Sequence, residues 1–401
     1  MAIGVGASLV LITINLRLAL GSVSPVLDDI RDTLGLSSST AGLLTTAPVL
    51  CFGLAAPLAP RLARRFGQEA LLLFALAGVV AGLLLRVAAE SVVFLFGGTL
   101  LLGVTIAVAN VLMPSVIKRR FERPGLMMGL FTMSLSVSAA IGAAFTVPLE
   151  EALGGWRLAL AFWAIPAVLA ALLWAPEVRR SGRGPSEGSG GVVRLWHDRT
   201  AWLVTGVFAL QSLLFFSLLS WTPDILRDAG LSSAEAGAWL SVSMLCGIAP
   251  SLVLPSIAER MRDQRLLAVV ATVPWVLGLI GLLVDPAGAT WLWMLLTGIG
   301  QGAGISLVLT LVVLRARDAQ DAAALSGMAQ GIGYTIAALG PLLLGVVRDV
   351  SGGWDAPIVI LLVVCVGMLL TGLGAGRDRF VSGDAIPPTG GSSPAEAGQT
   401  V

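Results

Sequence analysis

Apolar residues run in long blocks here, broken by short clusters of arginine, aspartate, glycine and serine. Taking the blocks between charge clusters gives twelve segments: 4–26, 39–60, 69–88, 91–117, 126–147, 157–175, 200–222, 235–256, 266–284, 289–314, 324–347 and 356–375. A helix crossing a bilayer core needs about 20 mainly apolar residues, and each block is close to that length. The pattern therefore predicts an all-α membrane protein of twelve transmembrane helices. The first block carries Asn15 and Arg17 and has no positive leader, so it reads as a retained span and not a cleaved signal peptide.

Composition agrees with the pattern. Of 401 residues 56% are hydrophobic and 12% charged, against about 25% charged in soluble domains. Mean hydropathy is +0.91. A net charge of +1 excludes a nucleic-acid partner, which demands a basic excess. The single histidine, His197, and three scattered cysteines offer no metal site, disulfide framework or cofactor. Basic residues divide nineteen to five between alternate loops, with Arg17 left over. By the positive-inside rule both termini are cytoplasmic, and the chain is expected to be a multi-pass plasma-membrane protein whose partners are lipid and a small solute.

The longest polar interruption, 176–199, divides the chain into six helices plus six: a bundle at 1–175, a cytoplasmic linker at 176–199, a second bundle at 200–375 and a disordered tail at 376–401. The halves repeat in sequence. Leu34-Gly35-Leu36-Ser37-Ser38 recurs as Gly230-Leu231-Ser232-Ser233, Leu50-Cys51 as Leu245-Cys246, and Pro60 as Pro255. Parallel six-helix repeats place a substrate site between the halves near the midplane.

These features resemble the major facilitator superfamily. Its motif in the loop after the second span, G-x-x-x-D-R-x-G-R-R, is matched loosely by Leu62-Ala63-Arg64-Arg65-Phe66-Gly67, with Arg64 in the acidic position. The copy after span eight, Ile257-Ala258-Glu259-Arg260-Met261, keeps the acid. The resemblance makes Arg64, Arg65, Glu259 and Arg260 gating candidates. Within the superfamily the chain resembles the cyanate and 2-nitroimidazole transporter family. The carriers are Asn15-Leu16-Arg17 with Pro25, the run Ala41 to Gly53, Asn110 with Pro114, Gly154-Gly155-Trp156-Arg157, and Ala324 to Gly331. Family members commonly have proline after Asn-Leu-Arg; Leu18 stands there, removing the expected kink. The resemblance implies transport of a small cyanate-like anion by alternating access, by a monomer. Its alternative is export of neutral nitroheterocycles.

Arg17 lies about 20 Å into the first span at 1.5 Å per residue and is the only strong charge expected at depth. Burying it costs on the order of 2.5–3.5 kcal/mol, and a guanidinium binds planar oxyanions through two parallel donors, so Arg17 is the leading substrate ligand. Asn15 is two residues, about 200°, away and faces elsewhere, as an interhelical bond or a weaker ligand candidate. Gln330 and Tyr334 stack on one face of span eleven. Asn110, Gln211 and Gln301 are single amides in apolar runs; the resemblance puts spans four, seven and ten at the cavity. The string Gly298-x-Gly300-x-Gly302-x-Gly304 sits inside a hydrophobic span, where it permits close helix packing and not phosphate binding. No nucleophile or acid–base pair shares a depth, so an enzyme is not expected.

Overall fold

The computed structural model describes residues 2–87, 91–180 and 195–381, so most of the 176–199 linker and of the tail lies outside the described residues. Among the described residues all regular structure is helical. Span one is Ala2–Gly21, span three Gln68–Val87, span four Val92–Arg120 and span five Pro124–Leu153. Span seven is Arg199–Asp228, nine Arg265–Val284, ten Thr290–Arg315, eleven Ala319–Ser351 and twelve Asp355–Ala375. Three spans are broken: two (Ser38–Ala55, Leu58–Phe66), six (Trp156–Phe162, Ala164–Arg180) and eight (Ser233–Cys246, Ile248–Arg260). Eleven of the twelve are long and apolar enough to cross a membrane; the twelfth is the bent span two. Helices are the only way to satisfy these backbones in lipid without a closed barrel.

The repeat noted in the sequence is a pair of helix-entry signals. Gly35 and Gly230 adopt φ of +63° and +98°, conformations open to glycine, and turn the chain after the preceding helix. Ser37 then accepts from the Thr40 N–H and Ser232 from the Glu235 N–H, opening spans two and eight. Leu18 leaves span one unbroken to Gly21, after which a short 3-10 turn (Ser24–Val26) and a helix (Leu27–Leu34) follow.

Within the halves, span one packs on five, three on four, seven on eleven and nine on ten. Between the halves, span five meets eight, and span eleven meets two and four. These seams are built from glycine. The side of Gly331 abuts Pro57, Gly327 abuts Pro60, and Gly129 abuts the Leu252 carbonyl, so helices approach to backbone distance.

Arg17 is half-buried and is not the lone charge drawn inward: among the described residues Glu69, Arg86, Glu177, Asp198 and Arg315 are buried. Arg86, which falls in an outer segment by sequence, is 1% exposed and donates to Thr99 Oγ1 and the Ala19 carbonyl, both at 3.0 Å. Arg315 is also buried, held by Gln264 and by the carbonyls of Ala375 and Gly376. A guanidinium near a helix end can turn inward when neutral acceptors receive its five donors.

Candidate functional site: a charged and aromatic group between the halves

Arg17 sits about 22 Å along span one at 1.5 Å per residue. Regular helix geometry divides that span as expected. Thr13 and Arg17 share one face, while Asn15 points to span six and donates to the carbonyls of Leu11 (2.7 Å) and Pro166 (3.1 Å). Both amide hydrogens of Asn15 are thus committed to backbone, and it does not join Arg17. The Arg17 Nε is buried without a hydrogen-bond partner.

Across from it, span eleven brings Tyr334, whose hydroxyl lies near enough to the Arg17 guanidinium to feel its charge. The Tyr334 ring is buried among three phenylalanines: Phe52 at 5.3 Å between ring centroids, Phe208 at 5.1 Å and Phe216 at 6.2 Å. One turn away on the same face, Gln330 donates to the Asn110 carbonyl (3.3 Å) and to Ser326 Oγ (2.8 Å). The side-chain oxygen of Asn110 is buried and unpartnered. Arg17 with Tyr334, and one turn away Asn110 with Gln330, thus make two pairs, each drawing one residue from each half.

Gln211 and Gln301 form a separate group inside the second half. Gln211 accepts from Trp275 Nε1 (3.1 Å) and donates to the Gln301 carbonyl (3.2 Å), tying spans seven, nine and ten together. Gly304 allows this, since a Cβ there would collide with the Gln211 amide. The Gln301 side chain instead lines a recess with Phe215, Thr222, Ser243 and Trp275.

The end of the bundle that carries the arginine-rich loops is closed. Ser115 donates to the Ala319 carbonyl (2.5 Å) and receives Gln68 Nε2 (2.7 Å), while Lys118 donates to the Val313 carbonyl (2.8 Å). Glu259 receives the Gly125 N–H at 2.9 Å, capping the start of span five from the other half. Thr132 donates to the Ser251 carbonyl (2.8 Å). Of the gating candidates, only Glu259 makes a hydrogen bond across the halves among the described residues. Arg65 lies over Phe66, at 5.3 Å from its ring centroid, and Arg260 is exposed. Arg64 is half-buried and takes part in none of the ion pairs found among the described residues. The ion pairs lie elsewhere: Arg119 and Arg120 hold Glu69, and Arg120 and Arg180 hold Glu177. Sequence reading passed over this cluster. Its signal was available, because antiparallel neighbours put the start of span three beside the end of span four.

The superfamily profile "Major Facilitator Superfamily" matches residues 9–338. The chain belongs to the major facilitator superfamily. Curated relatives place this facilitator further. It is 41% identical over 377 residues to the uncharacterized transporter YycB of Bacillus subtilis, covering 93% of each chain. It is 38% identical to the 2-nitroimidazole transporter of Escherichia coli, covering 94% of this chain and 96% of that one. It is 32% identical to the cyanate transport protein CynX of the same organism, covering 93% and 97%. This facilitator is thus a member of the cyanate and 2-nitroimidazole transporter family and a multi-pass membrane protein. Its fold matches the E. coli fucose:proton symporter FucP with a TM-score of 0.75 at 14% identity, covering 93% of this chain and 98% of that one.

Proposed function

We propose that this facilitator carries a small planar anion across the cell membrane by alternating access, with Arg17 as its principal ligand. The observation that carries the reading is the unpartnered Arg17 Nε at mid-depth beside Tyr334 of the opposite half. A permanent cation in a low-dielectric site draws an anion and holds it through paired donors. A ligand that touches both halves can bias their rocking, because it binds one arrangement better than another.

The arginine asymmetry supports cytoplasmic termini, with the closed end inward and the site reached from outside. The described residues at mid-depth include no carboxylate or histidine to relay a proton, and arginine does not titrate in this range. The simplest scheme is facilitated movement or exchange of the anion, secondary to its own gradient. Moving one negative charge inward against 100 mV costs about 2.3 kcal/mol. In proteoliposomes with a potassium-diffusion potential and equal pH on both sides, anion flux should follow the potential. Flux that ignores the potential and tracks a pH gradient contradicts the scheme.

A second reading is export of neutral nitroheterocycles, with Arg17 bonding the nitro group. It is favoured by the relative that bears the name 2-nitroimidazole transporter. The same vesicles separate the two, because neutral flux carries no current.

A further inference from the structure

We propose that the six residues after span twelve, 376–381, are a latch that holds the arginine-rich end of the molecule closed by fixing the last turn of span ten. This holds whatever the solute is.

Span twelve ends at Ala375, and the chain then runs back over the ends of spans nine and ten. The Gly376 carbonyl receives the Gln264 N–H at 2.9 Å. A Cβ on residue 376 would lie 2.8 Å from the Arg265 backbone nitrogen, so glycine is what lets the strap pass this close to span nine. At the other end the Val381 N–H donates to the Arg315 carbonyl at 2.8 Å, and the Val381 side chain is 1% exposed. Arg377, Asp378, Arg379 and Phe380 between them are exposed. A strap tied at both ends with one buried anchor docks and releases as a unit at modest cost.

Its anchor point matters because the last four carbonyls of a helix have no partner within it. Span ten ends at Arg315, and two of those carbonyls are filled from elsewhere. The Val313 carbonyl receives the Lys118 ammonium of the other half at 2.8 Å, and the Arg315 carbonyl receives Val381. Four residues beyond, the Ala319 carbonyl receives Ser115, again from the other half. The strap thus holds the stretch that presents both acceptors to span four.

Comparing the halves shows why the second needs it. At the end of span four Arg119 and Arg120 pair with Glu69 of span three, and Arg120 with Glu177 of span six. The repeat puts spans ten, nine and twelve in the corresponding places. There the buried Arg315 donates to Gln264 and to the carbonyls of Ala375 and Gly376, all neutral. Its ion pair among the described residues is to Asp378 of the strap, at 3.8 Å. The first half closes this junction with carboxylates inside its helices; the second takes one from the chain beyond them. A pair with so exposed a carboxylate contributes little, so the buried Val381 anchor carries most of the docking.

The test compares the full chain with truncations ending at Arg377 and at Asp384. The readout is the distance distribution between spin labels at the arginine-rich ends of spans four and ten, with thermal midpoints alongside. Ending at Arg377 should move the closed-to-open ratio about ten-fold toward open, the scale of a lost bond between helices. The chain ending at Asp384 keeps the strap and should match the parent. Val381→Asp in the full chain should reproduce the shift, and Val381→Ile should not. Lys118→Ala should open the same end, and adding the Arg377 truncation to it should change the ratio by no more than about three-fold, because both act through span ten. A lowered midpoint with an unchanged distribution makes the strap a brace of the second half alone and overturns the proposal. An undiminished truncation effect in Lys118→Ala, or an equal shift in the chain ending at Asp384, overturns it as well.

Discussion

Gln330 donates to the backbone carbonyl of Asn110 at 3.3 Å, joining span eleven of one half to span four of the other. That carbonyl is free because Pro114, four residues on, has no N–H to give it. The same device recurs at Ser251, four residues before Pro255, whose carbonyl receives the Thr132 hydroxyl across the halves. Two prolines inside helices thus create two acceptors, and each is filled from the opposite half.

Restoring the N–H should weaken these joints. Pro114→Ala lets the helix reclaim the Asn110 carbonyl and should shift the population away from the state closed at the arginine-rich end. Bonds between membrane helices are worth about 0.6–1.7 kcal/mol, so each substitution should change the closed-to-open ratio roughly three- to eighteen-fold. Distance distributions between spin labels on spans four and eleven would show it. An unchanged distribution for both Pro114→Ala and Pro255→Ala contradicts this role.

Glu259 should depend on its acceptor oxygen more than its charge. It receives the Gly125 N–H at the start of span five, where a helix N-terminus favours a negative group. Glu259→Gln keeps an oxygen and should retain most transport, whereas Glu259→Ala strands the N–H and should loosen the closed end. Thiol labelling of a cysteine introduced at Ser115 reports the difference. Equal labelling in both variants would reject it.

Gln211 is expected to act on stability. Gln211→Leu leaves the Trp275 indole N–H buried without an acceptor, a loss of about 1–3 kcal/mol, and should lower the thermal midpoint of the purified protein. Gly304→Ala should do the same by crowding the Gln211 amide, and Gln211→Ala should partly rescue it. Gly304→Ala as stable as the parent would show that the crowding is relieved by other means.

Much of this architecture is legible in sequence because lipid imposes a length and a polarity on every span. The twelve blocks follow from that constraint, and Arg17 stands out because nothing else charged lies in mid-block. The breaks are another matter. Span two bends at Pro57, yet Pro48 and Pro114 sit in unbroken helices, so proline alone does not mark a break. Arg86 counts with the outer basic residues although it lies at the end of the block 69–88, because one-dimensional pattern gives its height and not its direction. Gln211 and Gln301 are alike in sequence; only the Trp275 indole separates one bound on both sides from one facing a recess. The rings packed together at Tyr334, Phe52 and Phe216 come from three spans, and no spacing within the chain announces their meeting.

The central claim is that Arg17 holds the anion. Titrating small planar anions, cyanate among them, into the parent, Arg17→Lys and Arg17→Gln, each shown to be folded by its thermal midpoint, tests it most directly. Lysine keeps the charge and loses the planar fork, so affinity for whichever anion the parent binds should fall clearly, and glutamine should lower it further. Unaltered anion affinity in a folded Arg17→Gln protein would contradict the account.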